Sequence, residues 1–438
     1  MNTDFRQKRI VLATIGSLGD LHPTLVLALE FKHRGHHVTV ASTRYYKEKV
    51  EALGLGFSSI RPNWDPTDQQ LIAQCEDLKS GPEVLFRKLI LPYLRETYDD
   101  LLTAVAEADL MIAGELVYAA PLAAEKLCLP WVSAILSPCS FFSAHDPSLL
   151  VNVPGLYRLR DAGWLANRAL LEFGKMMSRH WWKPVRQLRR ELGLRAKCDP
   201  VFRDKFAPDL VLALFSQSLA KPQPDWPQQT IQPGFVYFDR EKAEAETDGH
   251  DRLAAFLDAG EPPLVFTLGS TAVHNPGDFY DVSVEAARRL KHRAVLLGAK
   301  SDAWVDSPDI LALPYAPYSQ IFPRASVIVH QGGSGTTGQA LRAGRPELIV
   351  PYGWDQPDNG ARAERLGVGL CLARNEYSAT SATASLERLL GDSRFAARAA
   401  EIGSRISEEN ALMSACGAVE KVLAGGSRLE RRSLDVHC

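Results

Sequence analysis

The chain has no long apolar run, no paired cysteines and no excess of positive charge, and each lack removes a class of function. No stretch of about eighteen uncharged apolar residues occurs in its 438 residues, so no bilayer-spanning helix is expected. Its seven cysteines (75, 128, 139, 198, 371, 416 and 438) form no C-x-x-C pair and are odd in number. That pattern argues for buried free thiols in a reducing compartment over disulfides or a zinc site. A formal charge of −2 lacks the basic footprint of a nucleic-acid partner. The N-terminus carries no apolar segment of signal length, which makes the cytoplasm the expected location.

What is present is an alternation of β-branched runs and amphipathic stretches. Ile10–Ile15 reads as a strand, Gly16 to Gly19 as a turn, Leu21–Lys32 as a helix and His37–Ala41 as a strand. Together they form a βαβ unit with a right-handed crossover. The pattern recurs with a helix near Leu89–Ala106, a strand at Asp109–Ala113, a helix at Ala119–Leu127 and a strand at Trp131–Ile135. Pro208–Phe215 and Ile231–Phe238 read as the last strands of this half, and the charged run 239–252 reads as a linker. A second series begins at Pro263, with a helix at Asp278–Lys291 and a strand at Ala294–Gly298. The expectation is an α/β protein of two doubly wound domains, 1–238 and 253–425, with a polar tail at 426–438. The cleft between them is the natural ligand site.

Residues 140–200 interrupt the alternation as a helical insertion. Between Arg158 and Lys197 stand eleven Lys/Arg against three Asp/Glu. This suits a solvated basic face, an acceptor lid, or a patch on an anionic membrane surface with Trp164, Trp181 and Trp182 at the interface.

The most informative stretch is 326–360. Ser326–His330 reads as a buried strand that enters a glycine turn, Gly332, Gly333 and Gly335; a helix at Thr336–Arg342 follows, then a strand at Glu347–Pro351 and a polar cluster. A strand, glycine turn and helix N-terminus make an anion site, because free backbone N–H groups and the helix dipole face the turn. The turn lacks the Lys of a triphosphate-binding P-loop, and Gly16-x-x-Gly19 lacks the G-x-G-x-x-G spacing of a nicotinamide site.

His330-Gln-Gly-Gly-Ser-Gly-Thr-Thr337, followed by Pro351-Tyr-Gly-Trp-Asp-Gln-Pro-Asp-Asn359, resembles the donor-binding signature of family 1 glycosyltransferases. Gly16-Ser-Leu-Gly-Asp-Leu-His-Pro23 resembles the N-terminal loop of their bacterial macrolide and sterol branch. Asp225-Trp-Pro, Pro233-Gly-Phe, Leu264-Val-Phe-Thr-Leu-Gly-Ser270 and Gly277-Asp-Phe-Tyr280 are most similar to the rhamnosyltransferase group of rhamnolipid synthesis. The resemblance implies the GT-B fold, two Rossmann-like domains facing a central cleft. It also implies an inverting, metal-independent transfer of a hexose from a nucleotide sugar, UDP-glucose by expectation, to a hydroxyl of a hydrophobic acceptor. No cofactor beyond that co-substrate is implied. The alternative is a dTDP-rhamnose-dependent transfer to a hydroxy-fatty acid glycolipid, and a nucleotide-sugar epimerase or a binding-only protein are more distant rivals.

On the donor side the resemblance implies diphosphate contacts from His330, Gly333, Ser334, Gly335 and Thr336, with Ser270 and Thr271 closing from the other side. Asp355 and Gln356 match the sugar-binding acid–amide pair, which otherwise reads as the cap of the following helix. Tyr315 and Ala316 fall at the pyrimidine. Gly338 stands where plant members carry a ribose-binding Glu, which weakens a strict uridine preference. Asp20 matches the family's catalytic base, with N-cap of the helix Leu21–Lys32 as its other reading. His22 and Glu115 complete the candidate catalytic set, His22 as cover for the helix start and Glu115 as an acceptor-side acid. Gly19, Phe141, Phe142 and His145 are the acceptor candidates, unless the aromatics are core.

Overall fold

Two parallel sheets organise the chain in the computed structural model, which describes residues 7–77, 79–149, 160–195, 199–238, 247–299 and 307–425. The first is built from β1 (Arg9–Ala13), β2 (His37–Ser42), β3 (Gly56–Ser59), β4 (Leu110–Gly114), β5 (Trp131–Ile135), β6 (Leu210–Ala213) and β7 (Thr230–Ile231). Their order is β3-β2-β1-β4-β5-β6-β7. The second is built from β8 (Leu264–Thr267), β9 (Ala294–Leu297), β10 (Ile310–Leu313), β11 (Val327–His330), β12 (Glu347–Ile349) and β13 (Gly369–Cys371), in the order β10-β9-β8-β11-β12-β13. Among the described residues every strand pair is parallel. Parallel strands covered on both faces are apolar throughout, as Ile10 to Ala13 and Val327 to Val329 are.

In both sheets the strand order reverses beside the first strand, between β1 and β4 and between β8 and β11. Loops leaving the carboxyl ends of those strands diverge there and leave a crevice. The candidate residues cluster at these two reversals: Gly19, Asp20 and Glu115 at one, Ser270, Thr271 and the glycine turn at the other.

Several elements differ from the sequence reading. The strand expected at Ile231–Phe238 is only Thr230–Ile231, because Pro233 has no N–H for a ladder and Gly234 turns the chain away at φ +116. The helix Thr247–Asp258 begins inside the stretch read as linker, whose residues 239–246 lie outside the described ones, as does the tail 426–438. Among the described residues the insertion holds the α-helices Trp164–Ser178 and Lys183–Glu191. The last helix among the described residues, Ala411–Ala424, returns to the first sheet: Ala415, Cys416 and Val419 join the core of Leu21, Leu25 and Phe31. Arg34 pairs with Glu420 at 2.8 Å beside it.

Candidate active site

The chain leaves β1, turns through Gly16 and enters the helix Leu18–His33. Ser17 is its N-cap: Ser17 Oγ accepts from the Gly19 N–H at 3.1 Å, and Asp20 Oδ2 accepts from the Ser17 N–H at 2.8 Å. Asp20 thus closes a capping box from inside the helix, which corrects the reading of it as N-cap. Gly16 sits at φ +142, and a Cβ there would strike the Asp20 carboxylate; only glycine lets backbone and acid share that space.

Asp20 lines a pocket with Thr14, Thr24, Gly114 and Glu115, walled by Leu27, Ile112, Leu136 and Leu214. Burial pushes its carboxyl up to about 7, opposed by the Ser17 N–H and reinforced by the Glu115 and Asp355 carboxylates. Glu115 is paired with Lys205 Nζ at 3.2 Å, and that lysine is buried. His22 lies two positions from Asp20 on the same helix and so faces another way. It stacks on Phe238 at 4.7 Å and is outside this pocket, which gives it the covering place rather than a catalytic one.

Across the cleft, β11 ends at His330, whose side chain is fully buried. Nδ1 accepts from the Gly332 N–H at 3.0 Å, and Nε2 faces Glu347 Oε2 at 2.8 Å. A backbone donor at Nδ1 leaves the ring proton on Nε2, aimed at the carboxylate. The expectation that this imidazole meets a diphosphate is therefore corrected: both ring nitrogens are engaged inside the domain.

The helix end itself is open. In the helix Ser334–Ala343 the Thr337 N–H bonds Gly333 O at 2.9 Å, so the N–H groups of Ser334, Gly335 and Thr336 project from the N-terminus. Gly335 is exposed and a Cβ on it would meet nothing. Ser334 Oγ donates across the cleft to the Leu136 carbonyl, and Thr336 Oγ1 accepts from Gln331 Nε2 at 3.4 Å. A Cβ on Gly269 would strike that same Gln331 amide, which brings the Ser270–Thr271 turn beside the glycine turn. Tyr315 is at the surface and Ala316 is buried, just past the edge strand β10.

Beyond β12, the helix Gln356–Leu366 starts at Asp355, which makes no side-chain cap bond. Asp355 Oδ2 accepts from Asn359 Nδ2 at 2.9 Å. Burial pushes the Asp355 carboxyl up to about 6, with Asn359 opposing and Glu115 and Asp358 adding to the rise. Gln356 Oε1 accepts from the Tyr352 and Gly353 N–H groups at 2.7 and 3.1 Å. Half of the expected sugar amide therefore folds its own loop.

The two halves are clasped by buried charge. Asp358 accepts from the Leu149 N–H at 2.8 Å and from Arg362 Nε at 2.7 Å; Arg362 reaches on to Asp146, which Arg365 also approaches at 3.4 Å. Trp354, at φ +61, packs against the first domain's core, a strained backbone for a bulky residue. Glu76 of the first half accepts from Asn275 Nδ2 of the second at 3.2 Å, and burial pushes it up to about 7.

On the acceptor side, Phe141 is core, stacked on Trp226 at 4.0 Å, and Trp182 is core beside Tyr118; an acceptor wall at Phe141 is corrected accordingly. Phe142 is half-buried against Phe202 and Lys205, His145 is exposed and stacked on Trp164, and Gly19 is exposed in the first helical turn.

Lys205, Asp146, Arg362, Glu76 and Glu347 carry no motif that marks them. The first four meet partners 90, 216 and 199 positions away, which spacing along a chain cannot reveal. Glu347 gives one signal, a lone acid in the apolar run Glu347–Pro351.

Two family profiles match the chain: "Glycosyltransferase family 28 N-terminal domain" over residues 10–140, and "Erythromycin biosynthesis protein CIII-like, C-terminal domain" over 294–416. The O-mycaminosyltylonolide 6-deoxyallosyltransferase of Streptomyces fradiae is 31% identical over 94% of this chain and 97% of that protein. The sterol 3-beta-glucosyltransferase of Neosartorya fischeri is 27% identical over 97% of this chain, which spans only 30% of that longer protein. Among solved structures, the glycotransferase of kitacinnamycin superposes with a TM-score of 0.72 at 21% identity, covering 95% of this chain and 100% of that one. The glycosyltransferase VinC in complex with DTDP gives 0.66 at 20%, with 95% and 100% covered. With its paired sheets, its facing crevices and a full-length relative, the chain belongs to the family 1 glycosyltransferases of the GT-B fold, enzymes that transfer sugar.

Proposed function

We propose that this glycosyltransferase moves a hexose from a pyrimidine nucleoside diphosphate to a hydroxyl of a hydrophobic acceptor, with inversion and with Asp20 as the base. The observation that carries the reading is the Asp20 carboxyl, held up to about 7 at the β1–β4 crevice and facing the donor half. A base near neutrality is matched to taking a proton from a hydroxyl. The acceptor O–H gives its proton to Asp20 as its oxygen bonds the anomeric carbon. The bond from that carbon to the diphosphate oxygen breaks, and the electron pair leaves with the diphosphate. Attack opposite the leaving group inverts the centre.

The projecting N–H groups of Ser334, Gly335 and Thr336, with the Ser270 and Thr271 hydroxyls, are assigned to the leaving diphosphate. These donors suit an anion without a metal bridge. Asp355 and the Gln356 NH2 are assigned to sugar hydroxyls, and Tyr315 and Ala316 to the pyrimidine. Gly338 is packed so closely on Phe235 that a side chain there has no room, so this position offers no carboxylate to a ribose. That, with the DTDP-bound neighbour, supports a thymidine diphosphate sugar. UDP-glucose is the second reading, favoured by the Asp355–Gln356 pair. The O-mycaminosyltylonolide and sterol substrates in the relatives' names support a hydrophobic acceptor.

Calorimetric binding of dTDP- and UDP-sugars to the whole protein is the test, followed by transfer assays with the donor that binds. Asp20→Ala is expected to keep donor affinity and to lower transfer about 100- to 10,000-fold. Binding of no nucleotide sugar would end the reading, and unchanged transfer would remove Asp20 from it.

A further inference from the structure

The basic insertion carries an apolar stripe that the fold leaves uncovered. The helix Trp164–Ser178 buries only Asn167, whose Nδ2 donates to the Ala144 and Arg160 carbonyls at 3.2 and 3.0 Å. With that side down, the helical period turns Leu165 and Met176 to the opposite side, and Phe173 and Met177 follow round one flank from them. They are 66, 55, 63 and 57% exposed. With Trp164 they make five of the ten large hydrophobics exposed among the described residues, a concentration that marks an interaction surface.

Arg168, Lys175 and Arg179 run along one flank of the stripe, and the neighbouring acid, Glu172, is tied to Lys175 at 2.8 Å. Residues 160–195 hold nine Lys/Arg against three Asp/Glu in a chain of net charge −2. Of those cations Arg168, Arg179, Lys183, Arg190 and Arg195 are exposed. A protein groove complementary to this face would have to be apolar and acidic side by side. A layer of acidic headgroups over acyl chains offers both at once.

We propose that the helix Trp164–Ser178 lies flat on an anionic lipid surface, with its Leu165–Met177 stripe in the acyl boundary and its basic flank among the headgroups. No helix among the described residues is long and apolar enough to cross a membrane, and this contact needs none. The first turn of the same helix is pinned to the acceptor-side loop, Trp164 stacking on His145 at 6.0 Å. Docking therefore brings the mouth of the cleft to the lipid, where an apolar acceptor would concentrate. This last link rests on the acceptor reading above; the docking does not.

Sedimentation of the full chain with vesicles tests it, using phosphatidylcholine alone and phosphatidylcholine mixed with phosphatidylglycerol. The protein is expected to bind the mixed vesicles, to ignore the neutral ones and to release as salt rises. A variant carrying Leu165→Ser, Phe173→Ser, Met176→Ser and Met177→Ser, and a second carrying Arg168→Glu and Arg179→Glu, are each expected to bind at least about tenfold more weakly. Nucleotide-sugar affinity and the unfolding midpoint should stay unchanged, so a failed donor reading and a failed docking are told apart. Absence of wild-type binding to mixed vesicles, equal binding to both kinds, or undiminished binding by either variant would overturn the proposal. So would a wild-type dimer in solution that the serine variant abolishes without any vesicle binding.

Discussion

With Asp20 as the proposed base, its carboxyl, held up to about 7, would make activity titrate where most carboxylates are already ionised. Asp20 must be ionised to accept a proton, so kcat/KM is expected to rise with pH up to about 7 and to level above it. Glu115→Gln removes a like charge and leaves the buried Lys205 cation uncompensated. Both changes lower the Asp20 carboxyl, so the rising limb should move to lower pH; a limb that stays put would show that Glu115 does not act on Asp20. Gly16→Ala tests the geometry rather than the charge. Its Cβ collides with the carboxylate at a φ of +142, so it should destabilise the fold by more than about 1 kcal/mol and reduce transfer further than that loss explains. Thermal unfolding beside the transfer rate separates the two effects.

Among the elements, the strand-to-helix turns hold the proposed chemistry, and these are the parts most legible in the sequence. The turn after β11 announces itself through three glycines between a His and a small-residue helix, because glycine density and a change of hydrophobic period are local signals. Asp20 is legible as a helix-start residue but not as the inner half of a capping box, since Ser-x-x-Asp spacing suits either cap. The buried pairing of His330 is hidden because its partner, Glu347, is on the neighbouring strand, and pairing across a sheet has no linear signature. The same holds for the clasp of Asp146, Asp358 and Arg362, whose register depends on two domains meeting. Arg362→Leu should cost about 3–5 kcal/mol in urea unfolding, because it leaves the Asp358 carboxylate buried without its cation. Arg365→Ala, at the exposed edge of that cluster, should cost under about 1 kcal/mol. Equal costs would mean that burial does not govern the clasp.

For the molecule as a whole, three carboxyls at the cleft share one direction of shift. Asp20, Asp355 and Glu76 are pushed up to about 7, 6 and 7 by burial. The unfolded chain gives up these protons from the ordinary carboxylate range upward, whereas the folded chain holds them until pH 6 to 7. Stability from these groups is therefore lost as pH rises through that window. The thermal midpoint is expected to be lower at about pH 8 than at about pH 5, and Glu76→Gln should flatten part of the slope. A midpoint that climbs across that range would contradict the burial of these acids. The helix Ala411–Ala424 bears on the protein in another way. By closing over Leu21, Leu25 and Phe31, it returns the chain to the half it started from, so the donor half is a graft with two seams. One seam precedes Thr247, and the other falls between Ser407 and Ala411. A chimera that borrows a relative's donor half must be cut at both. Cut only at the first, it would lay a foreign helix on this protein's own core and lose the Arg34–Glu420 pair that fastens it.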